Sequence, residues 1–136
     1  LIAIATEGEK KGIIGNAVMH MPYIIIPGVN SYKKLFDTRV GKNILEKLKD
    51  NGTKYIGIAY DADKAQNINV LNAEKAFATE ILNAGFGCIV VNWDAELGKG
   101  MDDAIINKSQ FQFSEITKEN MEKYYRPWYA NFEEKG

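Results

Sequence analysis

The chain has 136 residues, 46% of them hydrophobic, with 17 basic and 18 acidic side chains and a formal net charge of −1. These values fit one globular domain with a single core, exclude a disordered chain, and leave no global positive charge to announce nucleic-acid binding. A single cysteine, Cys88, and a single histidine, His20, exclude a disulfide framework and a Cys/His zinc site.

The opening LIAIAT, Leu1 to Thr6, reads as a strand. No charged-then-apolar secretory signal is visible in these residues. The chain begins on Leu1 rather than Met, and we read it as a piece of a longer protein or a processed one, in a cytoplasmic setting. Ile13, Ile14, Ala17 and Val18 share one face of a helix over 10–20, with His20 at its end. Tyr23 to Gly28 is a second strand, stopped by Pro27 and Gly28. It is far too short to span a membrane, as is every other apolar run. Ile44, Leu45 and Leu48 mark a second helix ended by Asn51 and Gly52. Lys54 to Tyr60 is a third strand. Val70, Ala73, Phe77, Ile81 and Ala84 give a longer helix closed by Gly85, and Gly87 to Trp93 a fourth strand that buries Cys88 as a small hydrophobe. A short helix covers Asp102 to Asn107, FQFSEI is a candidate edge strand, and Thr117 to Phe132 is a helix interrupted at Pro127.

Strand and helix alternate, and the strands are solidly apolar, which predicts a mainly parallel sheet covered on both faces. In such sheets functional groups collect beyond the carboxyl ends of the strands. Glu7 follows the first strand and Asp61 and Asp63 follow the third. Asp94, Glu96, Asp102 and Asp103 come after the fourth. Any one Asp reads equally well as a helix cap or a turn former, and one of the pair Asp61/Asp63 fits a cap. Several carboxylates converging on one edge without a counterion would raise one another's pKa and cost stability. A divalent cation removes that cost, and an all-oxygen donor set selects a hard ion, Mg²⁺, Mn²⁺ or Ca²⁺. Mg²⁺ leaves positions for phosphate oxygens, which points to phosphoryl chemistry.

Cations are placed unevenly. Lys10 and Lys11 open the first predicted helix, where the macrodipole disfavours positive charge. Two readings stand: an anion such as a phosphate docks there, with Gly8 and Gly12 permitting close approach, or both lysines reach into water. Lys64 and Lys99 flank the acidic motifs and are weaker candidates for the same role. Lys33 to Lys49 holds six cations against two acids, a phosphate-tracking face or a solvated basic helix. The GKG at Gly98 to Gly100 lacks the remainder of a P-loop.

Together these residues resemble a Toprim domain, the fold of primases, topoisomerases and OLD-type nucleases. TEGE supplies the Glu-Gly pair after the first strand, Glu7 and Gly8, and YDAD supplies the Asp-x-Asp, Asp61 and Asp63. GKGMDDAI resembles the further acidic motif of primase-type members and adds Asp102 and Asp103. The wording TEGEKK, PGV, YDAD, GKGMDD is most similar to primase-like Toprim domains of phages, plasmids and integrative elements. It extends over residues 1 to about 110. It departs from many bacterial primases at Lys10 and Lys11, where those carry an acid.

The resemblance implies a three-layer α/β/α domain with a mainly parallel four-stranded sheet. A metal shared between Glu7 and Asp61/Asp63 requires the first and third strands to be neighbours, hence the order 2-1-3-4. Residues 1–116 would form the Toprim core and 117–136 a helical tail packed on it. The aromatic tail MEKYYRPWYANF serves that packing better than base stacking. The implied chemistry is Mg²⁺- or Mn²⁺-dependent nucleotidyl transfer of a primase-like replication protein. Asp61, Asp63, Asp102 and Asp103 would be metal ligands and Glu7 the general acid/base. Lys10, Lys11, Lys64 and Lys99 would bind phosphate or nucleic acid. Its partners would be DNA or RNA, nucleotides and other domains of the same polypeptide, with no membrane. Two rivals are kept: a metal-dependent nuclease on the same fold, and a non-catalytic module binding nucleic acid or protein.

Overall fold

The computed structural model describes residues 2–7, 23–26, 31–60, 68–94, 96, 98 and 101–135. Strands β1 (Ile2–Glu7), β2 (Tyr23–Ile26), β3 (Tyr55–Ala59) and β4 (Gly87–Asn92) run parallel to one another. β5 (Gln112–Ile116) closes one edge antiparallel to β4, and the strand order is β2-β1-β3-β4-β5. The sheet therefore has five strands, one more than the four-stranded sheet expected. β5 alternates where the parallel strands are solidly apolar: Ile116 is buried, while Gln112, Phe113 and Glu115 are exposed. That pattern suits a strand with a neighbour on one side only.

Alternate residues of β1, β3 and β4 enter two cores. Ala3, Ala5, Ile56, Ile58, Tyr60, Cys88, Val90 and Ile116 face the larger one. Ile4, Ala59 and Val91 are buried on the opposite face, joined by Ile2, Trp93, Ile105 and Phe111. Burial on both faces explains why these strands carry little polar alternation.

Among the described residues, the larger face is covered by α1 (Lys33–Asp37), α2 (Arg39–Asp50), α3 (Ile68–Asn83) and α5 (Met121–Lys135). The β2-to-β3 and β3-to-β4 connections move in the same direction along the sheet. Right-handed crossovers therefore place their helices on the same face. Phe77 of α3 sits at the centre. It is stacked on Tyr32 with ring centroids 5.2 Å apart, and meets Phe36 edge-on and Tyr60 at a tilt.

Two details differ from the sequence-based expectation. The stretch before the second predicted helix is itself helical, and Thr38 separates α1 from α2. Its hydroxyl accepts from the Gly41 N–H at 3.0 Å, capping α2. Gly41 is packed on the backbone of Lys34 and Leu35, where a Cβ would overlap, so the corner is tight. The turn of α2 set by this corner buries Leu45 and leaves Ile44 exposed. Second, α5 runs unbroken through Pro127. It is nucleated by a reciprocal cap: Asn120 Oδ1 accepts from the Thr117 N–H at 2.7 Å, and Thr117 Oγ1 accepts from the Asn120 N–H at 3.1 Å. It is then anchored on both sides of the proline by Tyr125 and Tyr129, whose hydroxyls donate to Glu74 and Asn72 at 2.6 Å. Tertiary anchoring of this kind outweighs the lost backbone bond.

The short helix α4 (Met101–Ile106) lies between β4 and β5, with Ile105 against the smaller core. Among the described residues, no helix is long and apolar enough to cross a membrane.

Candidate functional site at the carboxyl edge of the sheet

β1 lies between β2 and β3, and the chain turns to one side after β1 and to the other after β2. This reversal of direction is where open α/β sheets place their ligands, outside the strand carboxyl ends. The register aligns Thr6 with Ala59 across β1 and β3, while Glu7, the last residue of β1, pairs with Ile26 of β2. β3 ends at Ala59, Tyr60 is fully buried behind it, and Asp61 is the next residue in the chain. The two acid-bearing exits thus belong to adjacent parallel strands ending at the same edge.

Of the residues singled out from the sequence, Glu7 is placed by its backbone at the end of β1, and Asp102 by its backbone in the first turn of α4. Asp103 is exposed. Asp61, Asp63, Lys10, Lys11, Lys64, Lys99 and His20 lie outside the described residues. Among the described residues, no three acids, histidines or cysteines gather in a group able to hold a metal.

Among the described residues this edge offers oxygen donors and no sulfur. Cys88 is fully buried, and burial first and the Glu74 carboxylate second push its thiol up to about 12, so it is no soft ligand. Thr6 carries a further oxygen. Its Oγ1 is buried with no hydrogen-bond partner among the described residues, one position before Glu7. A buried hydroxyl left unpaired costs about 1–3 kcal/mol, so this edge holds an unsatisfied polar atom beside its conspicuous acid.

The acidic segment after β4 is held by Trp93 and Gly98. The Trp93 indole N–H donates to the Gly98 carbonyl at 2.9 Å, and its ring meets Phe111 edge-on at 5.8 Å. A Cβ on Gly98 would stand 2.5 Å from the Ala104 nitrogen and 2.7 Å from the Asp103 Cβ. Only glycine lets position 98 lie this close to α4, so Gly98 is a close-approach residue. Asp94 has the bland role open to any Asp: its Oδ1 accepts from the Glu96 N–H at 2.9 Å in a local turn.

The basic stretch is solvated, with Lys33, Lys34, Arg39, Lys42, Lys47 and Lys49 all exposed. Lys49 has a structural task as well. Its Nζ donates to the Ala84 carbonyl at 2.7 Å and lies 5.1 Å from the centroid of the Phe86 ring, tying α2 to the end of α3. The tyrosines of the tail face the core: Tyr125 is buried, Tyr124 accepts from Asn92 at 2.9 Å, and Lys75 pairs with Glu122 at 2.7 Å.

Sequence reasoning missed Glu74, fully buried on the apolar face of α3 and bonded to Tyr125. Its signal was positional: it lies four residues after Val70 and three before Phe77, both on the core-facing stripe.

An α/β domain with acids at a topological switch point is the class that fold and edge define. Residues 1–112 match the family described as a domain of unknown function, DUF3854, and the chain belongs to that family. No curated protein matches it. No solved structure matches it.

Proposed function

We propose that the chain is a Toprim-type catalytic domain for Mg²⁺- or Mn²⁺-dependent phosphoryl or nucleotidyl transfer, belonging to a primase-like replication protein. The observation that carries this reading is the Thr6–Ala59 register of β1 and β3. With the two strands adjacent, parallel and aligned, Glu7 and the segment opening with Asp61 leave the sheet on one edge at its switch point.

In this reading Asp61 and Asp63 would hold the metal, with Asp102 and Asp103 added from the turn of α4. The bound ion supplies polarisation of phosphate oxygens and a lowered pKa for a nucleophilic hydroxyl. Glu7 takes the proton from that hydroxyl or returns one to the leaving oxygen. Lys10, Lys11, Lys64 and Lys99 orient phosphates as cations with rotatable donors. DNA or RNA, nucleotides and other domains of the polypeptide are the partners.

The test incubates the protein with labelled single-stranded DNA or RNA, nucleotides and Mn²⁺, and compares Glu7→Gln. Lengthened or newly made strands, lost in Glu7→Gln, support nucleotidyl transfer. Shortened strands, also lost in Glu7→Gln, transfer the assignment to the nuclease. Strand binding without turnover, equal in the two proteins, contradicts the catalytic reading and favours a binding module.

A further inference from the structure

We propose that the open end of the β4–β5 ribbon is a nucleotide subsite, with the base beside Trp93 and Phe111 and its phosphate on Lys108. The inference rests on the phosphoryl-transfer reading for the class of ligand, and on three independent features of the fold for the site.

The first feature is space. Pairing of β4 with β5 stops at Asn92 and Gln112, leaving a gap in the ladder beyond that pair. The gap is a pocket of about 630 Å³ lined by Trp93, Asp94, Lys108, Gln110, Phe111 and Gln112 among others. Its volume lies within the range of small-molecule sites. It opens at the carboxyl end of β4, the same edge from which β1 and β3 emit their acids.

The second is its chemistry. Trp93 and Phe111 are only partly buried and present aromatic surface that the core does not use up. Gln110 and Gln112 are exposed and offer amide donors and acceptors of the kind that read a base edge. Asp94 is less available, since one oxygen already holds the Glu96 N–H. An aromatic wall, amides and a single cation match a nucleobase with an attached phosphate better than an aliphatic or purely anionic ligand.

The third is strain. Three helices of this fold end in the same motif, in which a residue with positive φ follows the last turn. After α2 the positive-φ residue is Gly52, with the Thr53 N–H donating to Leu48 O at 2.9 Å. After α3 it is Gly85, with the Phe86 N–H donating to Ile81 O at 3.2 Å. After α4 the Lys108 N–H donates to Ile105 O at 3.0 Å and the Ser109 N–H to Ala104 O at 2.9 Å, yet the residue at φ +59° is a lysine. Glycine adopts this conformation at no steric cost and a side chain does not. Lys108 is the one non-glycine positive-φ residue among the described residues, and it lines the pocket. Positions that hold a side chain in so sparsely populated a conformation cluster at ligand contacts.

The test is calorimetric titration of the protein with each ribo- and deoxyribonucleoside triphosphate, and with a short oligothymidylate, in EDTA. The triphosphate and oligonucleotide arms distinguish a free nucleotide from a base of the strand. Binding in either arm, reduced several-fold in Lys108→Gly while the melting midpoint stays level or rises, supports the subsite. Phe111→Leu should lower affinity roughly tenfold by removing a stacking surface. Because Lys108→Gly relieves strain, loss of binding there cannot be loss of fold. Binding that persists in Asp61→Asn/Asp63→Asn also supports the subsite, even if the wild-type chain shows no turnover and the catalytic reading fails. No binding in either arm, or affinity unchanged in both Lys108→Gly and Phe111→Leu, overturns it.

Discussion

Glu74 shows what a single residue can hide in a sequence. It stands on the apolar face of α3 with no accessible surface, and the Tyr125 hydroxyl donates to its Oε2 at 2.6 Å. A buried carboxylate needs such a partner. The partner comes from α5, 51 residues later, so no local pattern reveals it. Cys88 lies in the same neighbourhood, and its burial was legible because Val90 and Val91 surround it with apolar sequence. Its thiol is pushed from 9.0 up to about 12 by burial first and by the Glu74 charge second. The folded state therefore keeps this proton at pH values where the unfolded chain has lost it. The corresponding stability is complete below about pH 9 and is lost as pH climbs from about 9 towards about 12, with a limit on the order of a few kcal/mol. Urea unfolding on both sides of pH 9 should show wild type losing more stability than Cys88→Ala across that window. The raised tyrosines contribute to both proteins alike, so parallel curves for the two would contradict the assignment.

At the scale of elements, the apolar runs and the 3.6-residue spacing of Val70, Ala73, Phe77 and Ile81 made the strands and α3 readable. Gly85, with φ +91°, ended α3 where the sequence said it would. Three things were not readable, each because a specific side-chain or backbone contact decides it rather than hydrophobic periodicity. Thr38 separates α1, which the spacing did not mark, from α2 through a cap and a glycine corner. Pro127 stays inside α5 because Tyr125 and Tyr129 fasten the helix to α3 on both sides. The contact of Gly98 with α4 is accompanied by the Trp93 indole reaching forward five residues to its carbonyl. That contact gives a direct test. Gly98→Ala should destabilise the fold by about 1–3 kcal/mol, because a methyl group must displace α4 backbone or the Asp103 side chain. Urea unfolding measures it, and an unchanged midpoint would show that the segment relaxes freely.

For the whole molecule, the chemistry of the account depends on topology. β1 between β2 and β3 is what sends the Glu7 and Asp61 exits to one edge. That placement was legible only through the requirement that the acids share an ion. Apolar runs alone give strands, not their order. The fifth strand and the pocket at its open end were less legible, because β5 is half polar and pairs with β4 only after α4 turns the chain back. The same topology makes the metal claim accessible to one measurement, the thermal unfolding of the chain with and without Mg²⁺ or Mn²⁺. An ion bound only by the folded state adds RT ln(1 + [L]/Kd), roughly 1 kcal/mol at several times Kd. A shared carboxylate site predicts a melting midpoint that rises with either ion in wild type and does not move in Asp61→Asn/Asp63→Asn. A midpoint that responds equally in both proteins, or in neither, would contradict a shared carboxylate site at the β1–β3 edge.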